Sequence, residues 1–125
     1  MANWIGTYRL KYYLHASHAI RWENGQGQEH GHSWEIILEF IALDQEMIIF
    51  DQVEALLAKE FDQYANSFLN ELPQFKEINP TIEHLAAFFF ERVTECLHPL
   101  NARLERLELG ESPTRFYCIT RQLGE

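Results

Sequence analysis

The sequence predicts an α+β domain: a four-stranded antiparallel sheet with two helices packed on one face, in the order strand, strand, helix, helix, strand, strand. Three observations lead there. Apolar and polar residues alternate early in the chain, at Tyr8, Leu10, Tyr12 and Leu14 and again at Trp34, Ile36, Leu38 and Phe40, which is the period of a half-buried strand. In the middle the apolar spacing changes to three and four, at Val53, Leu56, Leu57 and Phe61, then at Ile82, Leu85, Ala86, Phe89, Val93 and Leu97, giving one buried stripe per helix. The last quarter returns to strand-like runs over residues 104–109 and 115–120, joined through 110–114.

Taken in order, the first strand is expected over residues 6–18. Residues 21–29 contain Asn24-Gly25 and Gly27 among polar side chains, a loop composition. The second strand follows and ends at the turn Asp44-Gln45-Glu46, so that the two strands form an antiparallel hairpin. After the short apolar run from Met47 to Phe50, Asp51 is placed to cap the first helix. A polar connection runs through Asn66, Asn70, Pro73 and Asn79. At the second helix Thr81 is placed to accept a backbone N–H, Glu83 sits in the positive first turn, and Pro99 stops the element. No linker, repeat or low-complexity tract divides the chain, and one domain over residues 1–125 is expected.

Charge narrows the partners. Ten Lys and Arg against nineteen Asp and Glu leave a net charge of -9, which opposes phosphate backbones and anionic lipid, so neither nucleic acid nor membrane is expected. Cys96 and Cys118 lie far apart with no Cys-x-x-Cys, which argues against a disulfide framework and a cysteine zinc site; both read as small core residues. The N-terminal residues have no basic flank followed by an apolar core, and a cytoplasmic location is expected.

The histidines carry the chemistry. On a strand, His30 and His32 of Glu29-His30-Gly31-His32 put both imidazoles on one face. If the run ending at His18 pairs with the strand that starts there, a third imidazole joins them. Three neutral imidazoles with an open fourth position make a catalytic-type zinc site. His15 has the wrong parity to join, His98 sits at a helix end, and His84 reads as a partly exposed helical residue.

These stretches, in this order, resemble the 6-pyruvoyltetrahydropterin synthase and 6-carboxytetrahydropterin synthase family over nearly the whole chain. Leu14-His15-Ala16-Ser17-His18 is similar to the family's aromatic-x-Ala-Ala-His segment, and His30-Gly31-His32 to its His-Gly-His. The run from Met47 to Asp51 resembles the stretch before the family's first helix. Leu69-Asn70 and Asn79-Pro80-Thr81-Ile82-Glu83 resemble its Leu-Asn and Pro-Thr-x-Glu, and Gly110-Glu111-Ser112 its late Glu-Thr. The resemblance implies a tunnelling fold, in which a homo-oligomer, trimer or hexamer, joins its sheets into a barrel with active sites between subunits. It further implies Zn2+ on His18, His30 and His32, and Glu111 on the amino-pyrimidine edge of a pterin. Thr81 and Glu83 would line the same pocket, although both are equally explained as helix-start residues.

Two departures bear on the reaction. The family's proton-transfer cysteine lies in the loop before His-Gly-His, and this loop, residues 22–29, holds no thiol. The family's Asp-His pair stands here as Asp62-Gln63, leaving Asp62 alone of that relay. Some relatives carry a glutamate base in the loop and cleave the pterin side chain, which makes Glu29 and Glu23 candidate bases beside Asp62; strand parity turns Glu29 away from the metal. The function expected is therefore a zinc-dependent lyase acting on dihydroneopterin or its triphosphate with an atypical base. The alternative is a catalytically inactive metal- and pterin-binding homologue acting as a sensor or assembly partner. A triphosphate would need local cations at the pocket, for which Arg9, Lys11 and Arg21 are the candidates.

Overall fold

The structure, a computed structural model, describes residues 3–44 and 46–122; Met1, Ala2, the last three residues and Gln45 of the predicted turn lie outside the described residues. Its elements in chain order are β1 (Tyr8–His18), β2 (Arg21–Trp22), β3 (Gly25–Gln26), β4 (His30–Ala42), α1 (Phe50–Phe61), α2 (Ile82–Leu97), β5 (Ala102–Ser112) and β6 (Arg115–Thr120), with short 3-10 turns at Leu69–Glu71, Pro73–Phe75 and His98–Leu100. The main sheet is antiparallel throughout, in the order β1-β4-β5-β6, and both helices cover one face of it, as the sequence predicts.

Alternation decides which face is covered. Leu10, Leu14, Trp34, Ile36, Leu38 and Phe40 point to the helices, where they meet Val53, Leu57 and Phe61 of α1 and Leu85, Phe89, Val93 and Leu97 of α2. On β5 the buried set skips from Leu104 to Leu107, a spacing of three that strict alternation forbids. The register explains it: Glu39 pairs with Arg106 but Phe40 with Leu104, so Glu105 bulges out and both leucines keep the same face. The other face is charged, with Lys11 on Glu35 at 2.8 Å and Arg106 on Glu108 at 3.1 Å.

Three expectations are corrected. Residues 21–29 are not all loop, because Glu23 and Asn24 make a two-residue turn that lets Arg21–Trp22 pair with Gly25–Gln26. Asp51 does not cap α1: the helix starts at Phe50 behind an extended Ile49 with no side-chain cap, and Asp51 lies inside the first turn, where its charge still meets the positive helix end. Cys118 is not in the core; it lies on the edge strand β6, which is exposed along most of its length, whereas Cys96 is half-buried on α2.

Candidate functional site

The site begins with register. On β1 and β4, His18 pairs with His30 and Ala16 with His32, so the hairpin brings all three imidazoles to one end of the sheet on its helix-covered side. Their nearest ligand nitrogens all lie within 4.8 Å of one another. Trp34 floors the cluster, edge-on to His18 at 5.0 Å and to His32 at 4.8 Å between ring centroids.

His18 is the buried member, 4% exposed, and the Pro80 carbonyl lies 2.8 Å from its Nδ1. A carbonyl can only accept, so Nδ1 carries the proton and Nε2 of the neutral ring keeps its lone pair. Burial pushes the His18 imidazole below its ordinary range; the Pro80 carbonyl and Glu111 oppose that, while His32 and His30 add to it. A neutral ring oriented by a second hydrogen bond is what a metal needs from histidine. The donor set therefore fits zinc: three imidazoles and an open side.

That open side is a cleft of about 660 Å3, lined by the histidines, by Ile20, by Thr81, Ile82 and Glu83 at the start of α2, and by Glu111, Ser112, Thr114 and Arg115 of the β5–β6 turn. Thr81 caps α2, its Oγ1 accepting from the His84 N–H at 3.2 Å. Two asparagines hold the neighbouring chain. Asn70 takes both backbone groups of Ala19, accepting from its N–H at 2.9 Å and donating to its carbonyl at 2.7 Å. Asn79 does the same to Arg21, at 2.8 Å each way. Ile20 between them is thus fixed at the cleft.

The predicted site residues divide. His18, His30, His32, Thr81, Glu83 and Glu111 share the cleft. Glu23, Glu29 and Asp62 do not line it: Glu23 is at the tip of the β2–β3 hairpin, Asp62 follows the last turn of α1, and Glu29 accepts from Ser17 Oγ at 2.6 Å, where Ser17 alternates with His18 on β1. His15 likewise faces away, bonded to Ser33 at 2.8 Å. None of the three cations anticipated for the pocket lines it. Arg9 lies along β1, Lys11 pairs with Glu35, and Arg21 donates to the carbonyls of Phe75, Ile78 and Asn70. Among the described residues the cation lining the cleft is Arg115 instead. Its signal in the sequence is its place four residues after Glu111, across a turn short enough to return it to the same end of the sheet.

Comparison with known proteins agrees with this geometry. The family model described as 6-pyruvoyl tetrahydropterin synthase matches residues 8–122. Among solved structures, the 6-pyruvoyl tetrahydropterin synthase of Caenorhabditis elegans superposes with a TM-score of 0.78 at 16% identity, covering 94% of this chain and 96% of that one. The Plasmodium vivax 6-pyruvoyltetrahydropterin synthase gives 0.67 at 14%, covering 95% and 100%. An uncharacterized protein of Wolinella succinogenes gives 0.70 at 11%, covering 94% and 98%. No curated protein matches the chain. Sheet order, the convergent histidines and a family match over nearly the full length lead to one conclusion: the chain belongs to the 6-pyruvoyl tetrahydropterin synthase family.

Proposed function

We propose that the protein is a zinc-dependent lyase acting on a reduced pterin of the dihydroneopterin type, with or without its triphosphate. The observation that carries this reading is the convergence of His18, His30 and His32 on the same cleft as Glu111. The three imidazoles would hold the zinc, which when bound supplies a Lewis acid for hydroxyl or carbonyl oxygens of the ligand.

The chain's own groups do the rest. Glu111 accepts two N–H groups from the amino-pyrimidine edge, and so fixes the ring relative to the histidines. Thr81 has its oxygen engaged by the His84 N–H and keeps its own O–H to donate. Glu83 adds a second carboxylate to the lining of the cleft. For proton transfer the reading assigns a carboxylate in place of the family's thiol: Glu29, Glu23 or Asp62. In support, a glutamate is the residue replaced in a Plasmodium vivax synthase described as a catalytic residue mutant. These three residues stand outside their own chain's cleft, so they act across subunits of a homo-oligomer, trimer or hexamer, in the cytoplasm.

A second reading is favoured by the missing thiol and by Gln63: a sensor or assembly partner that keeps metal and ligand but lost the chemistry. A mass-spectrometric product assay separates the two. Zinc-loaded protein is incubated with dihydroneopterin and with its triphosphate, beside apo-protein. A metal-dependent product supports the lyase, and its mass distinguishes phosphate elimination from side-chain cleavage. Bound metal with no product from either compound supports the second reading.

A further inference from the structure

The cleft has an order across the sheet that its family assignment does not supply. Strand order β1-β4-β5-β6 sets out, one strand after another, His18, then His30 and His32, then Glu111, then Arg115. Strands lie about 4.8 Å apart, so Arg115 starts one strand beyond Glu111 and roughly 14 Å from His18. Glu111 and Arg115 therefore both line the cleft from neighbouring strands, with Arg115 on the strand farther from the imidazoles. They do not pair with each other, and Arg115 makes no ion pair or side-chain hydrogen bond with the described residues.

A carboxylate only accepts and a guanidinium only donates. Together they complement a ring edge that reads donor, donor, acceptor: an amino group, a ring N–H and a carbonyl. We propose that Arg115 is a specificity residue that donates to the carbonyl at position 4 of the bound heterocycle while Glu111 takes the 2-amino and N3–H groups, so that the cleft selects 2-amino-4-oxo rings. This rests on the pterin reading above and assigns the carbonyl to a residue of this chain. The placement also argues against Arg115 as a triphosphate anchor, because a ring held at Glu111 with its side chain towards the histidines carries its phosphates away from β6.

The alternatives fail at defined atoms. A 2,4-diamino ring turns an N–H towards the guanidinium and, because its N3 carries no hydrogen, a lone pair towards Glu111. A 2,4-dioxo ring turns a carbonyl towards Glu111. Each mismatch forfeits a charge-assisted hydrogen bond, equivalent to roughly tenfold to a hundredfold in affinity.

The test is a fluorescence titration of zinc-loaded protein at neutral pH with pterin, 2,4-diaminopteridine and lumazine, the 2,4-dioxo ring. Wild type is expected to bind pterin at least about tenfold tighter than either analogue. Arg115→Ala should narrow the discrimination against 2,4-diaminopteridine by about tenfold, leaving the part due to Glu111 and N3, while retaining that against lumazine. Arg115→Lys, still a donor, should restore part of the lost discrimination, and Arg115→Gln, whose amide can accept, should narrow it further than alanine does. If Arg115→Ala weakens all three rings equally, or none, the assignment of Arg115 is overturned while the pterin reading stands. If wild type binds no ring, both are overturned.

Discussion

His18 shows how much one residue takes from elsewhere in the chain. Its strand parity gives it a face, Pro80 gives it a tautomer, and burial keeps it neutral. Replacing His30 or His32 by alanine leaves two imidazoles, and zinc content measured on the purified protein should fall from one per chain to less than about a tenth of that, since three ligands are needed to hold the ion. Asn70 works without chemistry of its own. Asn70→Ala strips Ala19 of partners for both backbone groups in a buried setting, and urea unfolding of the apo-protein should show a loss of about 2–3 kcal/mol. The cysteines separate by location. Burial pushes the Cys96 thiol up to about 11, whereas Cys118 is exposed. A thiol reagent at neutral pH should therefore label one cysteine in the native chain and two after unfolding, with the first label mapping to Cys118.

Among the elements, those with a strong period were legible in the sequence. The stripes of α1 and α2 and the alternation of β1 and β4 repeat often enough that packing could only follow them. Thr81 was legible as a cap because its hydroxyl and the following helix pattern agree. Thr81→Ala should cost about 1 kcal/mol in urea unfolding, and Thr81→Ser much less. Asp51 misled because it opens a polar-to-apolar pattern just as a cap does, while backbone geometry had already started the helix at Phe50. The β2–β3 hairpin was invisible because two residues per strand carry no period, and the Asn70 and Asn79 clamps because asparagine in a polar connection looks the same whether it faces water or a backbone. Arg115 was passed over for a related reason: a cation beside a turn reads as surface until the sheet order shows which residues share its end.

For the whole molecule, acid should act in two stages on the apo-protein. The His18 imidazole titrates below its ordinary value of 6.5 in the folded state, so the unfolded chain takes up that proton first, and stability falls as pH drops below about 6.5. Glu60 lies below its ordinary 4.5; burial alone would raise it, but hydrogen bonds from Arg92 and Tyr64 override burial. Its contribution is present above about 4.5 and is lost as pH falls further through the folded value. Thermal midpoints measured across this range should decline in both windows, and zinc should move the first decline to lower pH by holding His18 unprotonated. A Glu60→Gln variant should keep the first decline and show a smaller second one, because hydrogen bonds from the Glu46 N–H and Asn101 hold Asp44 below its ordinary value as well.

The cleft also has a chronology. Its three imidazoles come from a single hairpin near the start of the chain, whereas Glu111 and Arg115 arrive only with the last two strands. Contacts close in sequence form cheaply and early, and a chain under synthesis presents its N-terminal hairpin long before β5 and β6 exist. The histidine half of the cleft therefore matures ahead of the half that carries Glu111 and Arg115, with the Pro80 carbonyl that orients His18 joining between them. A chain interrupted before β5 would keep the three histidines and lack the whole wall of the cleft that Glu111 to Arg115 supply.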